Sequence, residues 1–375
     1  MPLNRICHIT TAHPPFDVRI FHKECRSLAH AGYKLSVVVP HNRNDIVNGI
    51  EILAIGRVKS RPRRMIISLP AAFRRALKQR SDLYHLHDPE LLPFGLLLKL
   101  LTRKRIVYDV HEDYPSQALS KRYIPQFMRS LLAHLIRIVE AVSSRYFDGI
   151  IAATDTILSP FSFHSRAVTV RNFPRLSYYA TSDNQEKDRP FRVVYIGVIA
   201  EIRGISKIIR AMDYLPQHLR IKLVLCGTFD PKDYESEIKH LPGYTKVQSL
   251  NWIEPDSIPN LLSVSDIGIA CYLPEPNHVN ALPHKLFEYM AASLPVIASN
   301  FPLWENIIKT HDCGLTVDPQ DPKSISEAIE YFIKNPYKKT EMGKNGRRAV
   351  LEKYNWETEN EKLLKLYESI LSHST

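Results

Sequence analysis

The sequence lacks closely spaced cysteines. Its five cysteines are scattered through 375 residues, and no two of them form a CxxC pair. This pattern argues against a structural zinc site and against a thioredoxin-like redox motif. An odd number of dispersed thiols also argues against a disulfide framework, so we expect a reducing compartment. The five are Cys7, Cys25, Cys226, Cys271 and Cys313.

Two further absences concern metals and membranes. The sequence contains neither an HExxH nor an Asp-x-Asp motif, so we expect no metal ion and no cofactor. Its most apolar stretch, residues 91–101, is interrupted by Pro93 and Lys99 and is far shorter than the roughly 20 residues that span a bilayer. We therefore expect no transmembrane helix. The first residues reach a Pro-Pro pair after one short apolar run, which is not typical of a signal peptide.

Length and composition fit two globular domains. A chain of 375 residues with 44% hydrophobic and 24% charged residues has room for two cores. Its charge is uneven, because residues 1–182 hold 27 lysines and arginines against 13 acidic residues, a net charge of +14, whereas residues 183–375 have a net charge of −3. We therefore expect only the first half to face an anionic surface, such as phospholipid, nucleic acid or a polyanionic substrate.

Short apolar runs alternate with amphipathic segments in both halves. Such runs are typical of strands buried on both faces, and the alternation predicts parallel sheets covered by helices. In the first half we predict a helix over 19–31 that ends at Gly32, and strands over residues 6–10, 35–39, 52–55, 83–86, 106–110 and 150–153. In the second half we predict a helix from about residue 205, and strands over residues 192–196, 222–225, 247–250, 267–271, 295–298 and 315–317.

A polar stretch separates the two halves. Residues 177–190 are rich in polar and charged residues and poor in hydrophobic ones, which is typical of a linker. The predicted fold class is α/β, with two doubly wound Rossmann-like domains that face each other across a cleft. We place the first domain at residues 1–176 and the second at 191–353. Ligands of such sheets bind beyond the carboxyl ends of the strands, so functional residues should directly follow strands.

Imidazole and carboxylate groups follow several predicted strands of the first half. These groups bond hydroxyls with defined direction, so two adjacent strand ends that carry them favour a catalytic or sugar-binding surface. The alternative is that single histidines serve as turn residues and that Asp17 only caps the next helix. The candidates are His13, Asp17 and Arg19 after the first strand, His87, Asp88 and Glu90 after the fourth, and His111 and Glu112 after the fifth.

A glycine-containing loop joins a strand to a helix in the second half. Gly197 and Gly204 flank a segment that contains Arg203. Glycine lets the backbone approach an anion, a helix start presents unpaired N–H groups, and arginine adds a charge suited to phosphate. The segment is not a GxGxxG motif, so it does not predict a dinucleotide site.

Lys285 and Glu288 lie on a predicted helix with Pro283 as its first residue. A lysine in the first turn opposes the helix dipole, and a bound phosphate would account for it. Glu288 lies among hydrophobic residues and should be partly buried, and ribose hydroxyls would be suitable partners for such a carboxylate. The alternative is a helix that merely packs, with Lys285 in solvent.

Several segments resemble the group 1 glycosyltransferases, a family (family 4) of retaining enzymes with the GT-B fold. The second half carries residues 191–200 with Arg203 and Gly204, and the run HKLFEYMAASLPVIAS at 284–299. The first half carries HPPFDVRIFHKE, HLHDPELLPFG and VYDVHEDYP, which are similar to a bacterial subgroup that makes surface polysaccharides. The resemblance implies sugar transfer from a nucleotide sugar held by the second domain, and a C-terminal helix, residues 354–375, that crosses back to the first domain.

The resemblance also implies roles for single residues. Glu288 matches the ribose-binding glutamate of the family's E-x7-E motif, and Asn280 stands where the first glutamate is expected. Arg203 matches the basic residue that neutralises the diphosphate, and Lys285 is our candidate for a second basic residue that is missing. His111 matches a histidine near the reacting sugar. The other donor-side candidates are Gly197, Gly204, Leu286 and a base-binding loop at Trp252 and Ile253.

The implied function is a retaining, metal-independent transfer from a UDP or GDP sugar to a glycan or lipid-linked acceptor, in the synthesis of cell-surface polysaccharide. Arg203 and Lys285 would stabilise the leaving diphosphate, and His111 would orient the donor sugar. Two alternatives stay open. One is a nucleotide-sugar 2-epimerase of the same fold, and the other is a non-catalytic polyanion-binding module built on nine basic residues between positions 57 and 80.

The basic first half also predicts a partner. Basic residues gather at 57–80 and 103–129, beside apolar residues 96–101 and 127–139. Anionic headgroups attract such residues by about 1 kcal/mol each, and the aromatic-basic interleaving of a nucleic-acid reader is missing. We therefore expect a cytoplasmic protein that rests on the inner face of the membrane and has no nucleic-acid partner. The alternative is that these apolar faces only cover the sheet.

Overall fold

The structure is a computed structural model, and it describes residues 4–58, 60, 63–120, 124–179, 189–279 and 281–372. Contacts divide the chain into unit 1, Met1–Asn172 with Glu357–Thr375, and unit 2, Phe173–Trp356. These limits differ by a few residues from those expected from the sequence, because Phe173 and Tyr179 pack into the core of unit 2. Residues 180–188 of the expected linker lie outside the described residues.

Unit 1 is built on an eight-stranded sheet with the order β3-β4-β2-β1-β5-β6-β7-β8. The sheet is parallel except for the edge hairpin β3–β4, which corrects the prediction of an entirely parallel sheet. Asn48 and Gly49 make this turn with positive φ angles. The strands are β1 Arg5–Ile9, β2 Lys34–Val39, β3 Asp45–Val47, β4 Ile50–Ala54, β5 Leu83–Leu86, β6 Arg105–Val110, β7 Gly149–Ala152 and β8 Ala167–Thr169.

Six strands of unit 1 are confirmed within two residues of their predicted ends, and β3 and β8 were missed. Each of the two missed strands has only three residues, which is too short to show a buried or alternating pattern. Both lie at edges of the sheet. The apolar runs of the longer strands are buried, as expected for a sheet that is covered on both faces.

Helices follow most strands of unit 1. After β1 the chain forms a π-helix, Val18–Cys25, which continues into α1, Arg26–His30. The side chain of Asp17 accepts from the N–H groups of Arg19 at 2.8 Å and Ile20 at 3.0 Å, which confirms the predicted cap. The other helices are the π-helix Arg64–Ser68, α2 Leu69–Gln79, α3 Leu92–Thr102, α4 Tyr114–Ser120, α5 Gln126–Tyr146 and α6 Asp155–Leu158.

Unit 2 contains a six-stranded, entirely parallel sheet with the order β11-β10-β9-β12-β13-β14. All six predicted strands are confirmed within one residue. They are β9 Phe191–Ile196, β10 Ile221–Cys226, β11 Val247–Leu250, β12 Ile267–Ala270, β13 Val296–Ser299 and β14 Gly314–Val317. With unit 1, the chain has the two Rossmann-like α/β sheets that the sequence predicts.

The helices of unit 2 complete its two outer layers. The predicted helix after β9 is confirmed as α7, whereas the helix with Lys285 starts one residue late, because Pro283 has an extended ψ of 127° and is the N-cap. The helices are α7 Ile205–Tyr214, α8 Tyr234–Ile238, α9 Ile258–Ser263, α10 Pro276–Val279, α11 His284–Ala291, α12 Pro302–His311, α13 Pro322–Lys334 and α14 Pro336–Glu352.

The last helix, α15 Trp356–Leu371, joins the core of unit 1 from Glu357 onward. The side chains of Leu366 and Ile370 lie against Gly149 of β7, where an added Cβ would meet Ile370 Cδ1 at 2.7 Å. The hydroxyl of Tyr367 lies 2.6 Å from His85 Nδ1. Among the described residues, no helix is both long and apolar enough to cross a membrane.

Candidate functional site

Two cationic side chains of unit 2 lie over aromatic rings. The guanidinium carbon of Arg203 is 4.4 Å from the centroid of the Tyr272 ring, and Lys285 Nζ is 3.8 Å from that of Tyr195 and 4.9 Å from that of Tyr272. In the described part of unit 2, neither cation forms an ion pair with a carboxylate. The shared Tyr272 ring therefore holds two unpaired cations close to each other.

The environment of Lys285 disfavours its charged form. The residue is only 9% exposed, and its burial, together with the positive charge of Arg203, lowers its pKa well below the usual value. The negative charge of Glu288 raises the pKa of Lys285, but it does not reverse the overall lowering. A bound anion would supply the missing negative charge to both cations. The arrangement can therefore bind a phosphate or diphosphate.

Glycines bring the backbone close to this pair of cations. An added Cβ on Gly197, which has φ +117°, would lie 3.1 Å from Lys285 Nζ. Gly204 has φ +71° and is the N-cap of α7, and an added Cβ there would lie 1.9 Å from the carbonyl oxygen of Cys271. Gly197 is therefore favoured by its backbone conformation, and Gly204 is required for both conformational and steric reasons. The structure brings together Gly197, Arg203, Gly204 and Lys285, as expected for one site.

Glu288 lies one turn after Lys285 on α11 and is partly buried, as predicted. Its carboxylate accepts from the hydroxyl of Tyr179 at 3.3 Å, and its Oε1 lies 3.0 Å from His284 Nε2. These contacts hold the carboxylate in place. Its binding to ribose stays a prediction.

The other donor-side candidates differ in how far they are exposed to solvent. The side chain of Leu286 is fully buried in the core of unit 2, so only its backbone is left to contact a donor, and its assignment to the donor site stays a prediction. Trp252 and Ile253 follow β11, and the Trp252 side chain is 58% exposed. Asn280 lies outside the described residues.

A buried ion pair lies at the carboxyl end of β6 in unit 1. Arg19 donates from Nε and Nη2 to the two carboxylate oxygens of Asp109 at 2.9 and 2.8 Å, and from Nη1 to the carbonyl oxygen of Val170 at 2.7 Å. Its Nε also lies 3.0 Å from Glu24 Oε1. Because Arg19 is buried and its donors are engaged inside the unit, the structure corrects its predicted place on the acceptor side.

The two carboxylates beside Arg19 differ in charge. Burial alone would raise the pKa of Asp109, but the charge of Arg19, together with the contacts to His111 and His87, holds it well below its usual range. Burial raises the pKa of Glu24 well above its usual value, and the charge of Asp109 adds to this shift. Asp109 is therefore the carboxylate that balances Arg19, while Glu24 favours its protonated form.

Three histidines form a chain that ends at this ion pair. His111 Nε2 lies 2.8 Å from Asp109 Oδ2 and 3.2 Å from His87 Nδ1, and His87 Nε2 lies 2.9 Å from His8 Nδ1. Burial lowers the pKa of His87 to about 4 and that of His8 well below its usual value, so both are neutral. Of the three, His111 has the most exposed side chain, at 11%.

His13 and Asp17 lie beside this chain. The rings of His13 and His111 are 4.9 Å apart, His13 Nδ1 is 3.7 Å from Asp17 Oδ2, and His13 Nε2 is 3.5 Å from Asp88 Oδ1. Burial opposes the charged form of His13, but Asp17 and Asp88 raise its pKa overall. The structure thus brings His13, Asp17, Asp88 and His111 into one polar cluster.

The carboxylates that follow β5 and β6 accept hydrogen bonds from other groups of the protein. Asp88 accepts from the hydroxyl of Thr10 at 3.0 Å and the N–H of Thr11 at 2.5 Å, which fixes the loop after β1. Glu90 accepts from Arg64 at 2.6 Å and from the hydroxyl of Thr11 at 3.3 Å. Glu112 is exposed and accepts from the side chain of Gln117 instead of joining the cluster.

Two groups in the described part of unit 1 bring nitrogen and oxygen atoms within 4.8 Å of one another, as a metal would require. They are His8, Glu24, His85 and His87, and His87, Asp109 and His111. In the second group the atoms already bond to one another and to Arg19. In the first, the adjacent Arg19 guanidinium opposes a second cation. We interpret both groups as hydrogen-bonded networks, and the expectation of no metal stays a prediction.

Sequence reasoning missed Asp109 and the two tyrosines under the cations. Asp109 is a charged residue within the apolar strand segment IVYDV, and a charge in a strand that is buried on both faces is a signal that could have revealed it. Tyr195 and Tyr272 give no such signal, because an aromatic residue in or after a strand is ordinary.

Two family models match the chain. The model described as glycosyl transferases group 1 matches residues 180–349, which include Arg203 and Lys285. The model described as Glycosyltransferase Family 4 matches residues 18–159, which include Asp109 and His111. Together they cover most of both units.

Curated relatives match parts of the chain. An uncharacterized glycosyltransferase of Methanocaldococcus jannaschii is 27% identical over 176 residues, 47% of this chain and 44% of its own length. Spore coat protein SA of Bacillus subtilis is 26% identical over 186 residues, 47% of this chain and 48% of its own. The chain therefore spans about half the length of these relatives. A D-rhamnosyltransferase of Pseudomonas aeruginosa is 25% identical over 282 residues, 72% of this chain and 69% of its own.

Solved structures share the fold over the whole chain. The sucrose-phosphate synthase of Thermosynechococcus elongatus has a TM-score of 0.77 and 19% identity, and covers 99% of this chain and 100% of its own. The Anabaena protein HepE, in complex with UDP and glucose, has a TM-score of 0.70 and 16% identity, and covers 98% and 100%. The chain thus has the GT-B fold, and it belongs to the group 1, family 4 glycosyltransferases.

Proposed function

We propose that the chain is a retaining glycosyltransferase that moves a sugar from a nucleotide-activated donor to a hydroxyl of a glycan or lipid-linked acceptor. The observation that carries this proposal is the pair Arg203 and Lys285, two adjacent cations without a carboxylate partner among the described residues. A nucleoside diphosphate supplies two phosphates to this pair. The match of both units to glycosyltransferase models supports a transferase over an epimerase or a polyanion-binding module.

The same pair explains how the leaving group departs. Negative charge grows on the diphosphate as the sugar–oxygen bond breaks, and fixed cations in a partly buried site stabilise that charge most in the transition state. Lys285 gains most, because its charged form is otherwise disfavoured by burial and by Arg203. With two protein cations in this role, the reaction does not require a metal ion.

The rest of unit 2 would bind the nucleoside. Glu288 presents a carboxylate on the same helix as Lys285 and can accept hydrogen bonds from the ribose hydroxyls. Trp252 and Ile253 would line the base, mainly through their backbone, and Asn280 would contact the donor sugar. UDP and GDP are the two donor types to test, and HepE, a protein of similar fold, holds UDP.

Unit 1 would bind the acceptor. His13, Asp17, Asp88 and His111 form a polar cluster at the carboxyl ends of β1, β5 and β6, where sheets of this kind bind ligands. Histidine and carboxylate groups suit sugar hydroxyls. Relatives include a capsular polysaccharide biosynthesis glycosyltransferase of Staphylococcus aureus, which supports a role in cell-surface polysaccharide synthesis.

The test is a thermal-shift panel with UDP, GDP, ADP and TDP, followed by transfer assays with the sugar nucleotides of the base that binds. A ligand that binds only the native state raises the melting temperature. We expect one diphosphate to stabilise the wild type and to lose this effect in Arg203→Ala and Lys285→Ala. Arg210→Ala, at an exposed arginine on α7, the helix that follows Arg203, is the matched control. Stabilisation by none of the four would contradict the proposal, and an epimerised donor sugar would support the epimerase.

Unit 1 also exposes apolar side chains that support a membrane partner. Phe127 is 78% exposed and Leu131 is 60% exposed on α5, and Ile66 is 75% exposed in the π-helix Arg64–Ser68. The sequence-based alternative, that α5 turns its apolar side only to the sheet, does not account for these side chains. Basic residues such as Arg63 and Arg74 lie nearby in the sequence, whereas Lys59, Arg61, Lys121 and Arg122 lie outside the described residues.

We therefore propose that unit 1 rests peripherally on anionic lipid at the inner membrane face of the cell. Binding should be strong to vesicles with anionic lipid, weak to neutral vesicles and reduced by salt. Arg63→Glu with Arg74→Glu and Arg75→Glu should reduce it, and Phe127→Ser with Leu131→Ser should reduce it further. Equal indifference to both vesicle types at low salt would remove this part of the proposal.

A further inference from the structure

The contact between Asp109 and His111 decides which nitrogen of His111 faces a substrate. We infer that Asp109, held by Arg19, is a positioning residue that fixes His111 as the tautomer protonated at Nε2, so that His111 Nδ1 accepts a hydrogen bond from a hydroxyl of the sugar substrate. The role of Asp109 follows from unit 1 alone, whereas the identity of the hydroxyl rests on the proposed function.

The first step is the tautomer of His111. Its Nε2 lies 2.8 Å from an oxygen of Asp109, which is ionised and therefore only accepts hydrogen bonds. A bare nitrogen lone pair at that distance would face the negative oxygen, so Nε2 must carry the proton. His87 does not change this result. Whether its Nδ1, 3.2 Å away, carries a proton or a lone pair, the Asp109 oxygen stays nearer.

The second step is the rigidity of Asp109. Arg19 bonds both of its oxygens in a bidentate pair and is itself anchored to the carbonyl of Val170, and all of these groups are buried. The carboxylate therefore cannot rotate away without breaking two charged hydrogen bonds. Asp109 also lies only two residues before His111, which directly follows β6, so their short separation in the chain keeps the two side chains near each other.

The third step is what remains at His111 Nδ1. The hydrogen bonds that His111 makes in the described part of the chain all involve Nε2, and its ring is partly exposed beside His13. A neutral ring with the proton on Nε2 offers only a lone pair at Nδ1. That lone pair binds a hydroxyl, which can donate, and repels a phosphate oxygen, which at neutral pH cannot. His111 therefore favours a sugar hydroxyl over a phosphate oxygen.

The direct test is nitrogen NMR of the full chain labelled in its histidines, with His111 assigned by comparison with His111→Gln. We expect Nε2 protonated and Nδ1 unprotonated in the wild type at pH 8, and the preference weakened in Asp109→Asn. A wild-type ring protonated at Nδ1 would overturn the inference. This measurement does not depend on activity, so an inactive wild type with the expected tautomer would contradict the proposed function and not the role of Asp109.

The functional test separates positioning from folding. Asp109→Asn should lower kcat at least tenfold and leave the affinity for the nucleoside diphosphate unchanged, because the diphosphate site lies in unit 2. Which KM rises, that of the donor or that of the acceptor, identifies the substrate that carries the hydroxyl. Asp113→Asn is the matched control. It removes an exposed carboxylate two residues after His111 that bonds to the N–H of Ser116, and asparagine caps helices equally well.

A second variant keeps the inference testable if Asp109→Asn does not fold. Arg19→Met with Asp109→Leu replaces the buried ion pair by apolar side chains of similar size, which proteins often tolerate. We expect this double variant to fold, to lose the Nε2 preference of His111 and to show the same fall in kcat. Wild-type kcat in either folded variant would overturn the inference.

Discussion

Unit 1 pairs the buried charges of Arg19 and Asp109 with each other, whereas the described part of unit 2 offers no carboxylate partner to Arg203 and Lys285. In unit 1, Arg19 and Asp109 satisfy each other at 2.8–2.9 Å. In unit 2, Arg203 and Lys285 share the Tyr272 ring, and no described carboxylate pairs with them. A charge paired inside the protein serves structure and positioning, while an unpaired one in a partly buried place indicates where a charged ligand binds.

The difference arises in the loops and not in the sheets. Both units carry parallel strands whose carboxyl ends present polar side chains. In unit 1 the loop after β1 is fixed by Asp17 and Asp88, which bond to its N–H groups. In unit 2 the loop after β9 contains Gly197, whose missing side chain leaves room beside Lys285 Nζ. One loop is therefore filled by the protein itself, and the other leaves space for a ligand.

The largest expected effect comes from breaking the pair in unit 1. Arg19→Ala leaves the ionised Asp109 buried without its partner, which should lower the free energy of unfolding by about 3–5 kcal/mol. Urea denaturation measures this loss. Arg43→Ala, at an exposed arginine of the same unit, is the control and should change stability by less than about 0.5 kcal/mol. A loss equal to that of the control would mean that unit 1 does not depend on this pair.

Glu140 is a buried carboxylate of unit 1 that, unlike Asp109, has no cationic partner among the described residues. Burial raises the pKa of Glu140 to about 7, although Tyr108 donates to it at 3.0 Å. The folded state thus keeps a proton that the unfolded state loses above about pH 4.5, so stability falls as pH rises from there to about 7. Glu140→Gln should therefore stabilise the protein by roughly 1–3 kcal/mol at pH 8.

The measurement is denaturation of the Glu140→Gln variant and the wild type at pH 4.5 and pH 8. The gain should vanish at the lower pH, because Glu140 is then protonated in the folded state of the wild type as well. An equal gain at both pH values would show that packing, and not the charge, separates the two proteins.

In unit 2 we expect substitutions of the two cations to lower the activity and not the stability. Arg203→Ala and Lys285→Ala should each lower the rate of transfer at least tenfold, about 1.4 kcal/mol of transition-state stabilisation. Lys285→Met should leave the melting temperature unchanged or raise it, because it removes an unpaired buried charge. Rates and melting curves of the same preparations test both statements. Full activity in both alanine variants would remove the assignment of the diphosphate site.

The smallest expected effect is the uptake of part of a proton when a diphosphate binds beside Lys285. The pKa of Lys285 is lowered in the free protein, and a bound diphosphate should raise it, so binding should take up part of a proton. Affinity should then fall as pH rises through the pKa of the free lysine. Calorimetry of UDP binding in buffers of different ionisation enthalpy measures the uptake at pH 8.5, well above the phosphate pKa of about 6. Equal uptake in Lys285→Met would assign the proton to another group.

The sequence by itself determined the strands, their order along the chain and the residues that follow them. Twelve strands could be predicted, most of them because a run of apolar, β-branched residues is typical of a strand in a sheet that is covered on both faces. His111 and the loop with Arg203 could be found because polar groups that follow such runs lie at the carboxyl edge of a sheet, and Lys285 could be found because a lysine in the first turn of a helix opposes the helix dipole. The three-residue strands β3 and β8 escaped, since they are too short to carry a pattern.

Only the tertiary structure decided which polar residues meet. Arg19 follows β1 and could equally have faced a ligand, but its guanidinium turns inward to Asp109, ninety residues later in the chain. Leu286 lies between two candidate site residues, and its side chain joins the core. Pairing and burial depend on distances between segments far apart in sequence, which no local pattern records. For that reason the sequence identified the edge of each sheet where chemistry occurs, and the fold assigned each charge there to a partner or to a ligand.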